Sequence, residues 1–175
     1  MSATTSSRAR SHEPTVFSEP TAVENQVTRV FRARPERVFH LFTDPATVPY
    51  VFAPDPRRVT VEKLEFRKGG HFSIAVKGED GKTVRFQGEY REIVPPRRVV
   101  NTFEVDLFPG ARAVETDEFE PVGDFTRVTI RWKYESQTDR DKMAGPAMEQ
   151  AVTQMFDNLD QLLERGAHDL FGAQS

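Results

Sequence analysis

The sequence contains no cysteine among its 175 residues. This excludes a disulfide framework, a Cys-ligated zinc site, an iron–sulfur cluster and thiol catalysis. It also lacks an apolar run of the roughly 18–20 residues that a transmembrane helix needs. Neither sign of charge dominates, because 24 basic and 27 acidic residues give a formal net charge of −3. We therefore expect a cytoplasmic protein with no membrane span and no nucleic-acid partner.

Tryptophan is scarce, with one residue, whereas phenylalanine is abundant, with 14. A phenyl ring has no polar atom, so this bias favours apolar packing or an apolar cavity over acid–base chemistry. The length fits one domain. A domain of about 150 residues buries roughly 68–70% of the surface of its unfolded chain, and it folds without a metal or disulfide.

Both ends of the chain differ in composition from the middle. Residues 1–23 are rich in Ser, Thr, Pro and Arg without apolar periodicity, which predicts a disordered N-terminal tail. A short docking segment built on Val16 and Phe17 is the alternative. Residues 24–165 are predicted to form the folded domain. Residues 166–175 begin with a glycine suited to ending a helix and are predicted to be a flexible C-terminal tail.

Periodicity inside the domain predicts an α+β fold. One strand is expected around 27–31, and two short helices follow, the first beginning at Pro35. Turn signals then separate six consecutive strands between 59 and 134. From about 138 to 164 the period becomes helical, with Asp157 and Asp160 away from the apolar stripe. That stripe consists of Met148, Val152, Met155, Leu159 and Leu162.

Four segments together carry a resemblance to a known family. They are RVFRARPERVFHLFTDP (29–45), LEFRKGG (64–70), FQGEYREIVPPRRVV (86–100) and AMEQAVTQMFDNLDQLL (147–163). In combination they resemble the START-like superfamily, also called SRPBCC, Bet v 1-like or helix-grip, over about residues 26–164. The most similar branch is named after the C-terminal domain of the activator of Hsp90 ATPase. The resemblance implies a curved antiparallel sheet of about six to seven strands wrapped around a long C-terminal helix, with an apolar cavity between them.

The chain departs from this family at three places. Relatives often carry a Trp pair where this chain has Val51 and Phe52, and a Gly-Trp step where it has Ala151-Val152. The smaller side chains either enlarge the cavity or are compensated by neighbouring Phe residues. On one strand, relatives usually have apolar residues at the positions of Glu115 and Asp117.

The candidate ligand-binding residues share inward-facing positions on predicted strands and helices. An ordinary packed core is the alternative interpretation of their apolar members, and both interpretations can hold for different parts of one interior. The candidates are Phe42, Phe52, Phe72, Ile74, Phe86, Tyr90, Phe103, Glu115, Asp117, Ile130, Trp132, Met148, Val152 and Met155.

Glu115 and Asp117 are the polar members of this set. Two residues apart on a strand, they point to the same face. Inside a cavity, burial and mutual repulsion would raise at least one pKa, which suits contact with a polar ligand group, a general base or a cation site. The alternative is a solvated strand end, or pairing with an arginine such as Arg97 or Arg98.

No residue pattern predicts a catalytic group, a metal site or a cofactor. His12 and His168 fall in the predicted tails, and His40 and His71 are expected at the surface. The glycine pairs do not open helices, so they are not phosphate loops.

Three functions remain open at this point. We favour binding of a small apolar or lipid-like molecule. The alternatives are a co-chaperone or ATPase activator acting on an Hsp90-type chaperone, and an enzyme similar to polyketide cyclases or dehydratases that uses Glu115, Asp117 or a Tyr. The eukaryotic activator carries a separate N-terminal domain for chaperone contact, which disfavours the co-chaperone role for this chain. A monomer and a homodimer are equally compatible with the sequence.

Overall fold

The protein is described here by a computed structural model, which covers residues 14–166. His12 and His168 lie outside the described residues. The strands are β1 (Val16–Ser18), β2 (Glu24–Phe31), β3 (Val59–Leu64), β4 (His71–Lys77), β5 (Thr83–Val94), β6 (Arg98–Val105), β7 (Ala113–Val122) and β8 (Phe125–Tyr134). The helices are α1 (Pro35–Thr43), α2 (Val48–Phe52), α3 (Gln137–Met143) and α4 (Pro146–Arg165), with a 3-10 turn at Pro56–Arg58.

The eight strands of the described residues form one antiparallel sheet in the order β1-β2-β8-β7-β6-β5-β4-β3. The sheet is curved and does not close, and α4 packs on its concave face. The predicted α+β helix-grip fold is therefore confirmed, with eight strands instead of six to seven. Strand β8 illustrates why the sheet has one covered face. Its alternate residues from Thr126 to Tyr134 are buried, whereas Arg131 and Lys133 between them are exposed.

The additional strand comes from the segment that the sequence suggested was a tail. Residues of β1 pair with the edge of β2, for example Val16 with Thr28. Nearby, Arg29 Nε donates to Thr15 Oγ1 at 2.7 Å, and Phe17 packs against the core. Three residues are too few for a periodic pattern. This strand forms because β2 offers an exposed edge with which it can pair.

The predicted long helix is in fact two helices. Ser136 caps α3, accepting a hydrogen bond from the Asp139 backbone N–H at 3.0 Å. Proline lacks an N–H and clashes with a preceding helical turn, so the helix cannot continue through Gly145-Pro146. Pro146 instead starts α4, the position at which proline is tolerated.

Helix α4 is held to the sheet by a buried arginine on β2. Arg29 is 4% exposed and pairs with Asp157 at 2.8 Å and Asp160 at 2.9 Å. Phe31, two residues later, meets Phe156 edge to face at 5.2 Å between ring centroids. The two aspartates therefore hold α4 to the sheet through Arg29 although they lie away from the apolar stripe, and Asp157 keeps 40% exposure.

Strand β5 carries two features that allow the sheet to bend where this strand pairs with β6. The pairing shifts register between Tyr90 and Glu92. At Gly88 a Cβ atom would overlap the backbone carbonyl of Thr102 on β6. A glycine and a register shift are the usual means by which a strand bends around a core. Beyond this irregularity, β3 at the end of the sheet contacts α2.

Candidate functional site

Five side chains in register form a polar row across the concave face of the sheet. Tyr90 on β5 pairs with Asn101 on β6, Asn101 with Glu115 on β7, and Glu115 with Trp132 on β8. Trp132 in turn pairs with Asn25 on β2. Directly cross-strand residues point to the same face, so these five groups share one interior surface. We call them the polar row.

Glu115 is held at the centre of this row by its neighbours. Its Oε2 accepts a hydrogen bond from Trp132 Nε1 at 2.5 Å, and the Asn101 side chain also hydrogen-bonds it. Asp117 lies two residues further along the same face, opposite Ile130. Its Oδ1 is buried and has no hydrogen-bond partner. Both carboxyl groups therefore lie on the concave face of the sheet, which α4 covers.

Neither carboxyl group is paired with an arginine in the described residues. Arg98, an expected partner, faces the other side of the sheet. It pairs with Glu118 at 2.6 Å and with Glu92 at 3.5 Å. The arginine-paired alternative is therefore wrong within residues 14–166, whereas both acidic residues keep an intermediate exposure.

The burial of these groups changes their proton affinity. Burial raises the pKa of Glu115 from 4.5 to about 7, and the hydrogen bonds from Trp132 and Asn101 oppose that rise. Burial, and then the charge of Glu115, raises the pKa of Asp117 well above 3.8. Burial also raises the pKa of the Tyr90 phenol above its usual range. Each carboxyl group affects the ionisation of the other, so the pair titrates as a unit.

The N-terminal half of α4 covers one end of the polar row. Tyr134 Oη donates to Met148 Sδ at 3.7 Å, and Asn25 Nδ2 donates to the same sulfur at 3.6 Å. The other amide atom, Asn25 Oδ1, is buried without a partner. Met148 Sδ thus accepts a hydrogen bond from each of two polar side chains, and the Asn25 Oδ1 acceptor beside it has no partner.

Aromatic side chains line the part of the interior toward α2. Phe52 of α2 lies 6.1 Å from Phe86 of β5, and Phe86 stacks on Phe103 of β6 at 6.0 Å, measured between ring centroids. Phe42 of α1 meets Phe119 of β7 at 5.5 Å. The inward residues predicted on four separate elements are therefore brought into contact in two aromatic groups.

The predicted site residues divide into two classes by exposure. Six are buried in the core: Phe72, Ile74, Tyr90, Ile130, Trp132 and Val152. Eight keep an intermediate exposure: Phe42, Phe52, Phe86, Phe103, Glu115, Asp117, Met148 and Met155. At the other end of the interior the packing is complete, because Phe31, Phe156 and Leu159 each have 0% exposure. The interior is thus tightly packed at the C-terminal half of α4 and looser at its N-terminal half.

A groove of about 440 Å³ opens at the surface beside this looser end. It lies between the β1–β2 edge and the turn from α3 to α4, and its wall includes Phe17, Asn25 and Gly145. Two acidic residues, Glu19 and Glu149, also line it. Asn25 therefore belongs both to the wall of the groove and to the polar row.

Sequence reasoning missed two polar residues of this interior as site candidates. Asn25 and Asn101 occupy inward positions of strands whose other inward residues are mainly apolar, and that alternation was the available signal. An amide side chain does not by itself indicate a site, so the residue type offered no further signal.

Two classes of site are absent from residues 14–166. No group of three or more His, Asp or Glu residues there is placed to hold a metal ion. No helix in the same range is long and apolar enough to cross a membrane.

An open antiparallel sheet that grips a long helix defines the protein as a helix-grip domain. Residues 32–164 match the family model described as activator of Hsp90 ATPase homolog 1-like protein. The match covers most of the chain, so the protein belongs to this family. Such domains are ligand-binding or co-chaperone-like. The resemblance stated from the sequence is confirmed.

Solved structures with the same fold come from several bacteria. A protein from Rhodobacter sphaeroides is 24% identical, with a TM-score of 0.77 over 87% of this chain and 99% of its own. One from Arthrobacter aurescens is also 24% identical, with a TM-score of 0.76 over 91% of this chain and 97% of its own. One from Mycobacterium smegmatis is 17% identical, with a TM-score of 0.75 over 93% and 99%. No curated protein matches. These similarities establish the fold alone.

Proposed function

We propose that this protein binds a small, largely apolar molecule between the sheet and the N-terminal half of α4. One observation carries the proposal. Glu115 and Asp117 lie on the concave face beside the buried Trp132 and Ile130, yet both acidic residues keep an intermediate exposed fraction. Groups that are deep but still accessible face an internal space rather than bulk water. Ligand sites in proteins are commonly of this kind, with apolar walls and a few polar groups.

The composition of the surrounding wall supports the proposal. Phe86, Phe103, Met148 and Met155 share the intermediate exposure of the acidic pair. Methionine side chains are unbranched and adapt to irregular shapes. A wall of Phe and Met with polar groups at one end suits a molecule with an apolar body and one polar end.

The proposal is tested by filling the interior from α4. Val152 is buried under the sheet, whereas Ala151, its neighbour on the same helix, is exposed. Val152→Trp adds an indole inside, and Ala151→Trp adds the same group outside. Binding of Nile red, a neutral apolar dye, is followed by fluorescence. We expect Val152→Trp to weaken dye binding by about tenfold or more, a loss of about 1.4 kcal/mol, and Ala151→Trp to leave it unchanged.

Urea unfolding of both variants accompanies the dye measurement. In a fully packed core the added indole would overfill the interior and cost about 1–3 kcal/mol. An interior space accepts it at little cost. Absence of dye binding by the unsubstituted protein, or equal binding by both variants, contradicts the proposal. Native mass spectrometry of the purified protein provides a second readout, in which a co-purifying apolar molecule supports it.

A co-chaperone role is the second candidate, and the family match favours it. Such a role would use the outer surface of the domain. Addition of the purified protein to an Hsp90-type chaperone should then raise the ATPase rate, and Val152→Trp should stimulate as well as the unsubstituted protein. An unchanged ATPase rate contradicts this function without affecting the first.

A further inference from the structure

Three side-chain nitrogens of the polar row donate hydrogen bonds within the protein, whereas two buried acceptors on the same face have no partner. Trp132 Nε1 donates to Glu115, and Asn101 Nδ2 donates to the Thr102 carbonyl at 2.9 Å. Asn25 Nδ2 donates to Met148 Sδ. Among the buried side-chain atoms that lack a partner, Asp117 Oδ1 and Asn25 Oδ1 are both acceptors on this face.

A buried acceptor without a donor is costly, because it has lost water and gained nothing in return. Asn25 is only 8% exposed and lines the groove at the α3–α4 turn. Asp117 lies on the same concave face of the sheet. The two open acceptors thus share one concave face, Asn25 at the groove and Asp117 beside Glu115.

Acidic side chains lie at both places. Glu115 and Asp117 lie in the interior, and Glu19 and Glu149 line the groove. The basic side chain at this corner is Arg140 of α3. Its guanidinium pairs with Glu19 and Asp141, and its unpartnered Nε belongs to that cluster.

We propose that the polar row, with Asp117, is a subsite for the protonated amine of an otherwise apolar ligand. An ammonium group carries three donors and no acceptor, which complements the open oxygen of Asp117 and the neighbouring carboxyl group of Glu115, while the open oxygen of Asn25 lies nearer the groove. The ammonium charge also complements the acidic pair, and charge-assisted hydrogen bonds are about twice as strong as neutral ones. This inference rests on the proposed function, because the ligand's apolar body needs the Phe and Met wall.

The same arrangement discriminates against other ligands. A fatty acid would bring a third carboxylate next to Glu115 and Asp117, and like charges at that distance repel strongly when shielded from water. A neutral alcohol brings one donor and no charge. The interior should therefore rank an alkyl amine first, the matching alcohol second and the fatty acid last.

The experiment compares decylamine, 1-decanol and decanoate as competitors of Nile red at pH 8. The protein variants are Glu115→Gln and Asp117→Asn, and Glu118→Gln on the outer face of the same strand is the matched control. In the unsubstituted protein and in Glu118→Gln, decylamine should bind at least about tenfold more tightly than 1-decanol. In Glu115→Gln and Asp117→Asn that preference should fall severalfold, with 1-decanol binding unchanged.

The outcomes separate the two proposals. Equal binding of decylamine and 1-decanol overturns the amine subsite and leaves the apolar site standing. A preference that survives both acidic substitutions also overturns it. If neither compound competes and Nile red itself does not bind, both proposals are wrong. Circular dichroism of each variant verifies that the fold is retained, and neutral-for-charged replacement at these positions removes a buried charge rather than creating one.

Discussion

The buried acidic pair should make this protein less stable as the pH rises from 5 to 8. In the unfolded chain Glu115 ionises with a pKa near 4.5, whereas burial raises its pKa in the folded protein to about 7. A raised folded-state pKa contributes stability that is fully present below pH 4.5 and is lost as the pH rises through about 7. The gap corresponds to about 3 kcal/mol for Glu115. Asp117, whose pKa is also raised, acts in the same direction.

Urea unfolding at pH 5, 6, 7 and 8 measures this effect in the unsubstituted protein and in the double variant Glu115→Gln/Asp117→Asn. We expect the unsubstituted protein to lose about 2–3 kcal/mol across the range, and the double variant to lose much less. Glu118→Gln is the control. The pKa of Glu62 shifts the other way, to about 2, because Arg85 and Ser73 hydrogen-bond it, so its contribution is lost only below about pH 4.5.

Two results would refute this reasoning. If the free energy of unfolding of the unsubstituted protein is flat or rises between pH 5 and 8, the carboxyl groups are not held in a low-dielectric interior. If the double variant keeps the same pH dependence, other groups cause it. Either result would also weaken the argument that Glu115 and Asp117 face an internal space.

Further predictions concern the two features that fix the shape of the grip. Arg29→Ala leaves the carboxylates of Asp157 and Asp160 without their buried partner and should cost about 3–5 kcal/mol in urea unfolding; Arg127→Ala, at an exposed ion pair, should cost less than about 1 kcal/mol. Gly88→Ala places a methyl group against a backbone carbonyl of β6 and should cost about 1–3 kcal/mol; a loss near zero would mean that the bend tolerates a side chain.

Local patterns predicted most elements of the sheet well. The bounds of β4, β6 and β8 follow from alternation and turn residues, and the structure has them at His71–Lys77, Arg98–Val105 and Phe125–Tyr134. The alternation of apolar and polar residues is strong in these strands because one face of the sheet is covered and the other faces solvent. The break between α3 and α4 was present in the sequence as Gly145-Pro146, but Asp139 and Asp141 suit the first turn of a helix and led the predicted helix to begin before it.

Contacts between distant residues could not be predicted in the same way. Arg29 lies more than 120 positions before Asp157 and Asp160, and helical periodicity placed these aspartates away from the core. Strand β1 exists because β2 has a free edge, which no pattern within Val16–Ser18 reveals. Both depend on which elements the folded chain brings together.

The acidic pair shows the same division most clearly. The sequence by itself determined that Glu115 and Asp117 share one face of a strand, because side chains alternate with a period of two. It also determined the family and the α+β helix-grip class. Only the tertiary structure decided that this face is the concave one, beside Trp132 and Asn101 and away from Arg98. The reason is physical: a strand has two equivalent faces until the curvature of the sheet and the position of α4 make one of them the interior.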